Sequence, residues 1–171
     1  MDVIERVRTT LGAYTETDVR ALLQADHKEI LRLTQALAEA TTEARRRSLL
    51  NELKPLVVAH ARSEEHSVYV PMTELRRSPD ARLCASEGAV EHSLVDIVLG
   101  RLAATADAST DMWKAHAKVL HESLSHHINE EEGTLFEEVG EQFSEAERTT
   151  MGERYLRHRA DVMQREIAAA N

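Results

Sequence analysis

The sequence predicts an all-α protein, a four-helix bundle with additional N- and C-terminal helices. Three observations carry this. The 171 residues include only six Gly and three Pro, amid abundant Ala, Leu, Glu and Arg, which favours helix almost throughout. Apolar residues recur at helical spacing, and no stretch of useful length alternates like a strand. A histidine–glutamate pattern occurs twice, as two similar helical hairpins would require. A chain of this length reads as a single domain, residues 1–171, with room for a substantial core.

Residues 2–13 suit a short amphipathic helix, interrupted around Gly12 to Thr17. Thr17 or Asp18 can cap the next helix, which runs to about Ala40 and carries His27 on a face with Leu23, Ile30 and Leu31. From about Glu43 to Leu75, the residues Leu49, Leu53, Leu56, Val57, His60, Glu64 and Val68 fall near one stripe. Pro55 inside this stretch leaves two outcomes open, one kinked helix or two pieces, and Pro71 should loosen its end. Ser78-Pro79-Asp80 supplies a capping hydroxyl, a first-turn proline and a first-turn acid for a helix through His92 to about Ala104. Residues 106–111 form a polar break. The next helix runs from near Asp111 to about Gly140, with Gly133 as a weak point. Ser144 to Glu147 matches a capping box and opens a last helix, about 144–168.

The net charge of -9 disfavours nucleic-acid backbones and anionic membranes as partners. Cys84 is the only cysteine, which excludes an intrachain disulfide and a Cys-rich metal motif. The N-terminus lacks an apolar leader core, and no run of about 18 apolar residues occurs. The expectation is a soluble cytoplasmic protein with no membrane and no nucleic-acid partner, and with a homodimer or protein partner left open.

The repeated pattern is His-x-x-x-Glu-Glu-x-x-aliphatic-aromatic. Its copies are His60, Glu64, Glu65, Val68, Tyr69 and His127, Glu131, Glu132, Leu135, Phe136. Asp26-His27 precedes the first and Glu91-His92 the second. Helix positions i and i+4 face the same way, so His60 with Glu64, and His127 with Glu131, are two-pronged ligand sets. His27 and His92 add one imidazole each. The bundle interior then offers two metal positions, each with two imidazoles, and two carboxylates able to bridge them. With one oxo or hydroxo bridge each metal reaches about five ligands. Such ligation, free of thiolate, suits iron, and manganese less well, better than structural zinc.

Because Glu130, Glu131 and Glu132 are consecutive, His126 to Glu130 fits the pattern too. The His127 frame is preferred: His127 shares a face with Leu120, Leu124, Glu131 and Leu135, while His126 lies with Glu122, Asn129 and Glu130. His66, His116, His121 and His158 read as surface or satisfied histidines, with His116 the candidate for the access end of the cavity. Glu65 and Glu132 lie about 100° from the ligand glutamates. They, with Tyr69 and His116, are candidate proton donors or solvated side chains.

These residues resemble the hemerythrin-like proteins with an HHE cation-binding domain, whose bacterial pattern is His, His-x-x-x-Glu, His, His-x-x-x-Glu on four consecutive helices. The resemblance covers about residues 18–140 and implies a carboxylate-bridged di-iron centre in an up-down-up-down bundle. Val70 and Glu137 stand where the family often has proline. Oxygen carriers use a fifth histidine, in a His-x-x-x-His pair; here Asp96 follows His92 at that spacing, which argues against reversible oxygen carriage. Ferritin-like di-iron proteins rely on Glu-x-x-His, which this chain lacks. The leading function is a metal-binding protein that senses, binds or detoxifies oxygen, nitric oxide or peroxide. The alternatives are a peroxide- or nitric-oxide-consuming enzyme and, more weakly, a structural bundle.

Overall fold

The computed structural model describes residues 17–169, and every regular element among them is helical. The expected helix at residues 2–13 lies outside this range. The elements are α1 (Val19–Glu39), α2 (Glu43–Glu64), α3 (Val70–Thr73), α4 (Pro79–Ala104), α5 (Asp111–Glu130), α6 (Phe136–Gln142) and α7 (Glu145–Ala169). Two π-helical turns, Glu65–Tyr69 and Glu131–Leu135, join α2 to α3 and α5 to α6.

Local sequence sets most boundaries. The Asp18 carboxylate accepts from the Arg20 backbone N–H and starts α1. Thr42, Ser78 and Thr110 cap α2, α4 and α5 through their hydroxyls, each satisfying a backbone donor that the first turn leaves without a partner. The reciprocal capping box forms at α7: Ser144 Oγ accepts from the Glu147 backbone, and Glu147 accepts from Ser144 N–H at 2.8 Å. Pro55 does not divide its helix, since α2 runs unbroken from Glu43 to Glu64. Leu53, Leu56 and Val57, buried around it, supply packing that offsets the one backbone bond proline cannot make. The irregularity falls later, at the first π turn, where the Val70 N–H reaches back to the Glu65 carbonyl.

α1 packs against α2 and α5, and α4 packs against α5 and α2. These four helices, which carry His60, His27, His127 and His92, thus form a closed ring of neighbours. α7 lies along α2 and α1 and also touches the first π turn. No helix among the described residues is long and apolar enough to cross a membrane.

The buried apolar residues divide into two clusters. One includes Ile30, Leu33, Leu53, Val57, Leu99, Trp113, Leu120 and Leu124. The other includes Leu22, Leu23, Val68, Met72, Ala85, Leu135, Val139 and Met151. The sequence positions of His27, His60, His92 and His127 fall at the boundary between the two sets on every helix of the ring. Burial of both clusters, at about 25 cal/mol per Å² of apolar surface, supplies the drive for collapse.

The larger cluster is tied off at its loop end by buried polar contacts. The Trp113 indole donates to the Leu102 carbonyl at 3.2 Å, and buried Arg46 donates to the carbonyls of Ala40 and Ala108. Trp113→Ala should therefore cost about 3–5 kcal/mol, read as a fall in the urea midpoint; a change under about 1 kcal/mol would mean that this end of the core is not well packed.

Candidate metal centre

All six residues singled out by the repeat sit in the layer between the two apolar clusters, and all are buried: His27, His60, Glu64, His92, His127 and Glu131. Their nitrogen and oxygen atoms fall into two groups able to hold a cation, Glu64 with His92, His127 and Glu131, and His27 with His60 and Glu131. Each carboxylate spans the two histidine pairs. Glu64 Oε2 lies 3.6 Å from His60 Nε2 and 3.7 Å from His92 Nε2. Glu131 Oε2 lies 3.2 Å from His27 Nε2, and its Oε1 lies 3.3 Å from His127 Nε2. The two frames differ in burial: His127 faces inward, while the His126 side chain is 68% exposed, pairs with Glu130 and gathers with it and Glu91 nearer the surface.

Every one of the four imidazoles is held from behind through Nδ1. His27 Nδ1 lies 3.0 Å from Glu132, His92 Nδ1 3.0 Å from Glu65, and His127 Nδ1 2.6 Å from Glu91. His60 Nδ1 lies 3.0 Å from the Tyr155 hydroxyl, which donates in turn to Asp26 at 2.5 Å. The acid always comes from a neighbouring helix, so the support closes around the ring: Asp26 to His60, Glu65 to His92, Glu91 to His127, Glu132 to His27. With Nδ1–H donated outward, each Nε2 presents its lone pair inward.

That convergence is the test of whether a cation fits. Nε2 of His92 and Nε2 of His127 face each other at 3.0 Å. His27 Nε2, His60 Nε2, Glu131 Oε2 and both Glu64 oxygens are buried without a hydrogen bond. Lone pairs and carboxylates packed together out of water repel one another unless a proton or a metal lies among them. The donor set, two glutamates and four imidazoles, matches a cation of borderline hardness.

Charge responds accordingly. Burial, and then the neighbouring Glu131 charge, push Glu64 well above the usual carboxylate range. Burial also works against Glu131, but His127 and His27 outweigh it and hold Glu131 low. Burial lowers His60 to about 4. One carboxylate of the pair therefore prefers a proton and the other does not, the pattern of two like charges sharing one site.

Several contributors were not assigned from the sequence. Asp26 and Glu91 were visible as repeated neighbours of histidine but had no role. Glu65 and Glu132, candidate proton donors or solvated side chains from the sequence, each hold a histidine. Tyr155 and Arg159 were missed altogether, although their i, i+4 spacing on one face with Met151 and Val162 was available. Arg159 grips Asp26 with two bonds of 2.5 and 2.8 Å. Tyr69 was a candidate only; its hydroxyl donates to Glu131 Oε1. In a regular helix Tyr69 would lie about 140° around from Glu64, and the wider π turn brings it toward the same side. Gly88 makes room, since a Cβ there would collide with the Tyr69 hydroxyl.

A cleft of about 250 Å³ reaches this layer between α4 and the second π turn, bordered by Leu83, Cys84, Glu87 and Gly88 and reaching Tyr69, His127 and Glu131. His116 does not line it; it precedes His127 by eleven residues, or about 16 Å of helix. Asp96, in the place of a fifth histidine, turns outward and pairs with Arg62. His66 stacks on His158 at 4.6 Å, and His121 meets Thr34 at 3.1 Å, both away from the layer.

A family model described as the hemerythrin HHE cation binding domain matches residues 18–139. No curated protein matches the chain. The matched span includes all six buried ligand-type residues and ends before α7.

The Arg159–Asp26–Tyr155–His60 chain sets expectations for stability in the metal-free protein. Tyr155→Phe removes a donor from Asp26 and the acceptor of His60 Nδ1, and should cost about 1–3 kcal/mol. Arg159→Met takes the guanidinium away from a buried carboxylate and should cost about 3–5 kcal/mol, with Asp26→Asn in the same chain recovering part of it. Burial works to raise Asp26, but His60 and Arg159 hold it below the usual carboxylate range. A folded-state pKa below the unfolded value of about 3.9 gives stability that is present above that pH and lost as pH falls through it. Urea unfolding between neutral and acidic pH should show a shallower acid loss for Arg159→Met than for wild type; identical acid slopes would exclude this role for the pair.

Proposed function

The chain belongs to the hemerythrin HHE cation-binding domain family, and from that premise we propose that it holds two iron ions through His27, His60, Glu64, His92, His127 and Glu131 and uses them to bind, sense or detoxify a small molecule. The observation that carries the reading is the convergence of buried nitrogen and oxygen atoms lacking hydrogen bonds on one layer of the bundle. His27 and His60 serve one iron, His92 and His127 the other, and Glu64 and Glu131 lie between the pairs. The four helices that carry them take an up-down-up-down course in this reading, with α7 part of the same domain. Imidazole and carboxylate donors without thiolate favour iron, with manganese the weaker alternative.

Iron held in this way supplies redox chemistry and a coordination position for oxygen, nitric oxide or peroxide. The protein side of the work is support and access. Glu65, Glu91, Glu132 and Tyr155 fix the rings and raise the donor strength of the inward nitrogens. A cleft of this size suits small molecules, which would reach the layer beside Tyr69. Asp96 offers no fifth imidazole, being engaged by Arg62, so the six residues would leave coordination positions free for a small ligand. A second reading, an enzyme consuming peroxide or nitric oxide, is favoured by the Tyr69 hydroxyl, which can hold a proton at the inner wall of the cleft.

Metal analysis of the purified chain should give about two irons per chain, and chelation should lower the melting temperature clearly. His127→Ala should lose at least one iron, whereas His126→Ala should keep the wild-type content. Equal melting curves with and without a strong chelator would sink the metal reading. Loss of iron from the His126 variant alone would move the ligand to the other frame.

A further inference from the structure

α4 is apolar on two opposite faces. Its inner face buries Ala81, Ala85, His92, Val95, Leu99 and Leu102. Its outer face carries Leu83, Val90, Leu94 and Ile97, each 57–61% exposed. An isolated exposed leucine needs no explanation, but a continuous stripe does. Together with the exposed Glu87 and Arg101, these residues are spaced 4, 3, 4, 3 and 4 apart, an unbroken heptad seam about 27 Å long on a helix rising 1.5 Å per residue. One flank of the seam, Ser86, Ser93 and Gly100, is small at every seventh position. The two serine hydroxyls bond back to the carbonyls of Arg82 and Ala89, which leaves a smooth surface for a second helix to approach.

We propose that this seam pairs with the same seam of a second copy of the chain, antiparallel about a two-fold axis between Val90 and Leu94. Charge selects both the partner and the direction. The acidic and basic seam residues lie toward opposite ends of one stripe. A parallel pair would set Glu87 against Glu87 and Arg101 against Arg101. An antiparallel pair brings Glu87 of each copy to the end that carries Arg101 of the other, and places Val90 and Leu94 at the centre. Leu83 and Glu87 also border the cleft that leads to His127 and Glu131, so the second copy roofs that entrance. The pairing stands apart from the metal assignment; the roofing of a metal centre rests on it.

Sedimentation velocity of the full chain across a hundredfold range of concentration tests the pairing. Wild type should move from monomer to dimer. Leu94→Glu, at an exposed position, should melt as wild type does at concentrations where both are monomeric and weaken association by about a hundredfold. Glu87→Arg and Arg101→Glu should each self-associate poorly, since the first gathers only bases at the ends of the seam and the second only acids. Mixed together, the two variants should pair, because each end of the mixed dimer then joins a base to an acid. A monomer at every concentration overturns the proposal, whether residues 1–16 or another protein covers the face. So does a failure of the two charge variants to pair on mixing. Extraction of bound iron by a chelator should slow as wild-type concentration rises and stay constant for Leu94→Glu. Equal rates would overturn the roofing alone, and a chain that binds no iron would overturn the metal reading while leaving the sedimentation result standing.

Discussion

The structure turns on one problem of electrostatics, two carboxylates and four imidazoles withdrawn from water in a layer between two apolar clusters. The polar layer between them opposes folding, because Glu64 and Glu131 lie among nitrogens whose lone pairs point the same way and several of these atoms have no hydrogen bond. Several kcal/mol per uncompensated charge are at stake, a large fraction of the net stability of a domain this size. A cation shared by the two groups removes that opposition. A cation held there would couple folding to metal binding.

The same constraint explains why the surroundings of the layer are so fully used. An imidazole offers its Nε2 inward only if its Nδ1–H has an acceptor outward, and a neighbouring helix supplies one for every ring. Three of the acceptors are partly exposed glutamates, Glu65, Glu91 and Glu132. The fourth differs. His60 leans on the phenol of Tyr155, and behind it stands the buried Asp26–Arg159 pair. That difference brings in α7, which lies beyond the matched family span, and makes the C-terminal helix a support for one ring of the centre rather than an outer layer of packing.

The π turns serve the same end by geometry. One begins just after Glu64 and the other at Glu131, as Glu65–Tyr69 and Glu131–Leu135, where a wider turn changes which residues can share a face. Tyr69 reaches Glu131 for that reason, and Gly88 on α4 leaves the space it needs. α4 thus combines small inner residues near the centre with an apolar outer seam. Its inner face is committed to the bundle, and its outer face is the one large apolar surface that the described fold leaves open on that helix.

The sequence by itself determined the helical class, the starts of α1, α4, α5 and α7, and the six residues that gather in the polar layer, because those features rest on local chemistry. Capping side chains, i, i+4 spacing and apolar phase all act within a few residues of one another. Tertiary structure decided the rest. It carried α2 through Pro55, since buried neighbours on other helices outweigh one missing backbone bond. It buried His127 and exposed His126, the placement that the apolar phase indicates. It gave Asp26, Glu91, Glu65, Glu132, Tyr155 and Arg159 their work, because an acceptor for a ring nitrogen arrives from a different helix, and no spacing within one helix records which neighbour will supply it.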